Sequence, residues 1–183
     1  MKSFIVYLLL AILLLLNVSC ETNNEVEPVV ELHITAVLSE NGTESLYKDT
    51  NQYYHLTLDT SRHQTIRRVN GFIKVNGEKP FSPEKVVWES NLYWYLLRGD
   101  TVANIVETYF NPFTGKLTTV ILPPLIAQKD ELVPTINCCS YSGTEGEINT
   151  MIAPIKDMKG DTLIIRAYNW TYDKTAITKI ILE

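Results

Sequence analysis

Along most of this chain apolar and polar side chains alternate one by one, the spacing of half-buried strands rather than of helices. Leu32, Ile34, Ala36 and Leu38 fall on one side of the first such stretch. Tyr54, Leu56 and Leu58 line the second, with His55, Thr57 and Asp59 opposite. Val69, Ile73 and Val75 line a third across Asn70-Gly71, which reads as a bulge, and Asn76-Gly77 ends it in a turn. Val86, Trp88, Leu92, Trp94 and Leu96 then share a face, with Tyr93 and Tyr95 on the other. Ser90-Asn91 is a bulge or a short turn that splits this stretch into two strands.

Residues 101–110 and 116–122 flank Asn111-Pro112-Phe113-Thr114-Gly115, where Pro112 suits a type I turn and Gly115 the left-handed position after it. This is the clearest hairpin signal in the chain. Pro123-Pro124 stops the second arm, and residues 125–132 read as a helical turn or a crossing loop. Residues 134–141 form a further strand, 142–146 a loop, and 148–155 a weakly extended stretch broken by Pro154. Residues 159–161 turn, and 163–170 and 177–182 close the chain as strands. No run of a dozen residues carries clean helical periodicity. Outside residues 1–19 there are 19 threonines and 9 tyrosines against 6 alanines, a strand-favouring balance. The pattern predicts an all-β fold, an antiparallel β-sandwich of about eight to ten strands over residues 29–183. A sub-division near 123–134 stays open.

The first residues follow another logic. Lys2 precedes an unbroken apolar run at 4–16, too short to span a bilayer and right for a signal-peptide core. The run leads into Asn17-Val18-Ser19-Cys20. A small residue before a cysteine at this place resembles the lipobox of bacterial lipoproteins, with Asn17 where that family favours leucine. The alternatives are an ordinary signal peptide with an incidental cysteine and an uncleaved anchor. The resemblance implies removal of residues 1–19 and acylation of Cys20, which would hold the chain on a membrane, since two or more acyl chains anchor stably. Residues 20–28 are polar and acidic, with Glu21, Glu25 and Glu27, and read as a flexible tether. Acidic residues just after such a cysteine also resemble the surface-export signal of Bacteroidota-type lipoproteins. That implies outer-membrane, surface-facing placement, with the periplasmic face as the alternative. The strand spacing is similar to the immunoglobulin-like or fibronectin III-like modules of bacterial surface lipoproteins, though without a Cys…Trp…Cys core signature.

Charge and chemistry narrow the function. The formal charge is −5, so no phosphate-backbone footprint is expected and nucleic acid is not a partner. Three histidines, His33, His55 and His63, and the absence of hydrolase, phosphate-loop or dinucleotide motifs speak against an enzyme. Neither a metal site nor a cofactor is expected. Cys138 and Cys139 are adjacent; the plain reading is one buried thiol and one partly exposed thiol, a vicinal disulfide being the alternative. Arg98-Gly99-Asp100 spells an adhesion tripeptide but reads as a turn between strands.

The aromatic cluster Trp88, Tyr93, Trp94 and Tyr95 is the strongest candidate binding feature. Alternation sends the tryptophans one way and the tyrosines the other, so one set belongs to the core and the other can form an exposed strip that stacks on sugar rings. Trp170 and Tyr172 form a weaker second candidate. Asp100-Thr101-Val102 and Asp161-Thr162-Leu163 each resemble the O-glycosylation motif of Bacteroidota exported proteins, with Thr101 and Thr162 as acceptors. The expectation is a non-enzymatic envelope lipoprotein acting as a binding or accessory module. Its partners would be the membrane, through the lipid anchor, and an outer-membrane protein or a glycan. The alternatives are a glycan-binding accessory protein of an uptake system and a structural subunit of an outer-membrane assembly.

Overall fold

The computed structural model describes residues 27–39, 42–99, 101–102, 106–111, 114–121 and 125–183. Its strands in chain order are β1 (Val30–Leu38), β2 (Tyr54–Leu56), β3 (Arg67–Val75), β4 (Lys85–Ser90), β5 (Tyr93–Leu96), β6 (Thr101–Val102) and β7 (Val106–Asn111). They continue with β8 (Lys116–Ile121), β9 (Leu125–Ile126), β10 (Glu131–Pro134), β11 (Cys139–Tyr141), β12 (Glu147–Ile152), β13 (Thr162–Asn169) and β14 (Lys174–Leu182). One turn of 3-10 helix, Lys156–Met158, precedes β13. The fold is all-β, an open sandwich.

Two sheets make its body. One has the order β1-β3-β12, the other β11-β4-β13-β14-β2. Three further pairs, β5 with β10, β6 with β9 and β7 with β8, stand as two-stranded ribbons. Every pairing is antiparallel except β14 with β2, where Tyr54, His55 and Leu56 run alongside Ile180, Ile181 and Leu182. The inward faces merge in one core. Val30, Leu32, Val37, Val69, Ile73, Ile148 and Ile152 come from the first sheet, and Val86, Trp88, Leu163, Ile165, Ala167, Ile180 and Leu182 from the second. Area removed from water by such side chains stabilises by about 1.5–3 kcal/mol each, offset by their ordering.

Alternation predicts most of these faces, and β1 shows where it fails. The pairing of β1 with β3 shifts between Ile34 and Ala36, so Thr35 is the extra residue of a bulge facing Asn70-Gly71. The bulge reverses the inward set. Val30 and Leu32 point to the core before it, and Val37, not Leu38, does so after it. The bulge expected at Asn70-Gly71 of the third strand is thus not there: β3 alternates regularly through Gly71 and pairs with β12 without a shift, and the extra residue belongs to β1. Tyr54, itself buried, donates its hydroxyl to the Thr35 carbonyl at 2.9 Å and so satisfies the backbone group that the bulge frees.

Other expectations change locally. Within the arm expected at 101–110, the described residues form β6, which pairs with β9, and β7, which pairs with β8 with Asn111 opposite Lys116. Residues 125–132, expected as a helical turn or loop, instead carry β9 and the start of β10. Proline and short apolar runs disguised these as a crossing, because two- to four-residue strands are too brief to display a period.

Candidate functional site

Ser90 closes β4 in the core and the chain then leaves the main sheet. The turn that redirects it is pinned on three sides. The Thr135 hydroxyl lies 3.0 Å from Ser90 Oγ, and both the Thr135 amide and the Ser90 hydroxyl donate to the Leu92 carbonyl at 3.1 Å. Asn91 reaches β13, accepting from the Ile164 amide at 2.7 Å and donating to the Thr162 carbonyl at 3.0 Å. β5 therefore starts from a fixed base, and β10 pairs with it so that Tyr95 faces Leu132 and Tyr93 faces Pro134.

This ribbon separates the aromatic cluster. Trp88 is 2% exposed, packs in the core and donates its indole N–H to Ser140 Oγ at 2.8 Å. It is a core residue and cannot contact a ligand on the surface. Trp94 lies half-buried against the core, with His63 meeting its ring edge-on at 5.7 Å. Tyr93 and Tyr95 are 50% and 68% exposed, and Leu132 beside Tyr95 is 56% exposed. The outer surface of the ribbon is thus two tyrosines about 7 Å apart along the strand, flanked by a leucine and a proline. Their rings offer apolar faces and their hydroxyls a donor and acceptor each.

A second aromatic group lies on the outer face of the five-stranded sheet. Trp170 is 72% exposed and meets Tyr168 edge-on at 4.7 Å, and the Arg166 guanidinium lies 5.2 Å from the centre of the Tyr168 ring. The Tyr168 hydroxyl donates to Asp173 at 2.8 Å, and that bond raises its pKa. Tyr172 does not join this surface; it packs half-buried against the core.

The histidines take separate places. His33 lies beside Phe72 on the outer side of β1, and His63 supports Trp94. His55 joins a cluster that no local pattern announces. Its Nδ1 lies 2.6 Å from Glu183 Oε1, and its Nε2 sits 3.5 Å from Asp49 Oδ2, an electrostatic contact too long for a good hydrogen bond. The Glu183 carboxylate, and to a smaller degree Asp49, hold the His55 pKa above its ordinary 6.5. Glu183 stands 128 residues away, so only the parallel β2–β14 pairing brings the two together.

Cys138 and Cys139 are both exposed, where one was expected inside. Cys138 lies in a bend just before β11, so strand alternation does not apply to it. Thr162 opens β13 opposite Ile181, half-buried, and Thr101 opens β6 opposite Ile126. Cys20, with all of residues 1–26, lies outside the described residues, as do Asp100 of the adhesion-like tripeptide, Pro112 of the hairpin turn and Pro123-Pro124. Among the described residues no group of three His, Cys, Asp or Glu could hold a metal ion, and no helix is long and apolar enough to cross a membrane. The chain matches no family model, no curated protein and no solved structure.

Proposed function

We propose that this chain is a non-enzymatic envelope lipoprotein, held on the outer membrane through an acylated Cys20 and binding its partner on the β5–β10 ribbon. Residues 20–28 give the domain reach from the membrane, and residues 29–183 carry the recognition surface. The observation that supports this reading is the exposed Tyr93–Tyr95–Leu132 surface set on a base pinned by Ser90, Asn91 and Thr135. Exposed aromatics on a fixed base lose little side-chain entropy when a partner covers them, which favours binding.

A carbohydrate chain is the second, sharper reading. Two exposed tyrosines on one face of a strand suit stacking on successive sugar rings, while their hydroxyls meet sugar hydroxyls. Titration with a panel of polysaccharides tests it, read through the fluorescence of Trp94, which lies beneath the ribbon. Each stacked ring contributes about 0.5–1.5 kcal/mol beyond its buried area, so Tyr95→Ala should weaken binding by at least about 3- to 10-fold with the fold unchanged. No saturable response to any polysaccharide, together with co-purification of a stoichiometric membrane protein, would move the assignment to an assembly subunit.

A further inference from the structure

The segment that joins the two sheets passes through the cysteine pair. Ile136 bridges to Ile152 of β12, and the Asn137 amide donates to the Met151 carbonyl at 3.0 Å. The Asn137 carbonyl accepts from the Thr150 hydroxyl at 3.1 Å. One residue later the chain belongs to the other sheet. The Cys138 carbonyl accepts from the Trp88 amide at 2.7 Å, and Cys139 pairs with Val87. The backbone on either side is thus held by different sheets, and the bend between them turns both side chains to solvent. Their sulfurs lie 2.8 Å apart.

We propose that Cys138 and Cys139 form a reversible dithiol–disulfide site that exchanges electrons with a disulfide-bearing oxidant. Cys138, as its thiolate, attacks one sulfur of the oxidant; a Cys138–oxidant mixed disulfide forms and the oxidant's other half leaves as a thiolate that takes up the released proton. Cys139 then loses its proton and attacks Cys138 Sγ, forming the vicinal disulfide and expelling the oxidant's second half as a thiol. One disulfide is consumed, one is formed, and two thiols are released. Cys139 Sγ lies 2.8 Å from Cys138 Sγ, so it is placed for the second, intramolecular step, where proximity favours attack. Access to the first attack is provided by the exposure of both residues.

The site is not a structural staple. A bond between neighbours closes almost no loop in the unfolded chain and so adds little stability of the usual kind. Exposed disulfides of unfavourable geometry are also the readily reduced ones. What the pair can supply is chemistry: a site that reports, or responds to, the thiol–disulfide balance outside the protein, at the joint between its sheets.

The test uses the full chain, purified reduced, and in parallel its Cys20→Ala variant so that no third thiol confuses the count. Each is incubated with oxidised glutathione, freed of it, and alkylated while folded. The expected result is loss of alkylation at both Cys138 and Cys139, a mass lower by two hydrogens, and recovery of both thiols with dithiothreitol. Cys139→Ser should instead retain a glutathionyl group on Cys138. Undiminished alkylation of both thiols, a stable glutathionyl adduct on the unaltered pair, or a covalent dimer on a non-reducing gel would each overturn the proposal.

Discussion

Gly71 stands where any side chain would collide. A Cβ there would run into the His33 carbonyl oxygen and crowd Ile148, because β1 and β12 flank it and the Thr35 bulge brings β1 close. Gly71→Ala should therefore destabilise by well over the ~1 kcal/mol of an average substitution, read as a lowered midpoint in urea unfolding with unchanged slope. Tyr54→Phe is a milder probe of the same bulge. It keeps the ring but strands the Thr35 carbonyl, and we expect a loss of about 1–2 kcal/mol by the same measurement. The His55 cluster gives a pH signature. The raised His55 pKa means that its stabilising contribution is complete below 6.5 and is lost as pH rises through the higher folded value. Asp49 works in the opposite sense: its pKa lies below the ordinary 3.8, chiefly through the Tyr53 amide, so its contribution is present above 3.8 and lost as pH falls through the lower folded value. Thermal midpoints measured at constant ionic strength should thus decline as pH climbs above 6.5. His55→Gln should flatten that decline, and an unchanged profile would refute the assignment.

At the scale of elements, the strands were legible wherever a period of two ran for five or more residues. β3, β13 and β14 illustrate this, as does the split of the long aromatic stretch into β4 and β5 at Ser90-Asn91. The same alternation separates Trp88 and Trp94 from Tyr93 and Tyr95, and the structure shows that the tryptophans are the inward set. What escaped was long-range or non-repeating. The partner of β5 is not β4 but β10, a four-residue strand that ends on a proline, and no local signal pairs them. The bulge in β1 changes the phase at Thr35, which has no glycine or proline to announce it. The contact of His55 with Glu183 depends on chain crossing, and the common exposure of Cys138 and Cys139 on a single bend. The ribbon itself offers a test at this scale. Thr135→Val removes the hydroxyl that meets both Ser90 and the Leu92 carbonyl. The amide bond to Leu92 survives, so the domain should stay folded while amide hydrogens of residues 93–96 exchange faster.

The molecule as a whole rests on one core shared by two sheets, so its unfolding should be cooperative. Ile165 sits at its middle, fully buried on the central strand of the five-stranded sheet. Ile165→Ala should cost about 2–5 kcal/mol through lost burial and the cavity left behind. The anchoring reading is tested separately, by expressing Cys20→Ala. The expected outcome is a protein that lacks the acyl mass carried by the unaltered chain, and identical acyl mass, or none, on both would reject the lipid anchor. The parallel pairing of β2 with β14 has a further effect, on time rather than on stability. Residues 54–56 meet residues 180–182 only after nearly everything between them has been made. A chain emerging amino end first leaves the side of β2 that faces β14 unmatched until residues 180–182 have been made. Closing so distant a contact is slow, and refolding on the order of milliseconds to seconds is expected. During that interval the polypeptide remains threadable through a narrow pore and open to proteases, so the arrival of β14 decides when it ceases to be either.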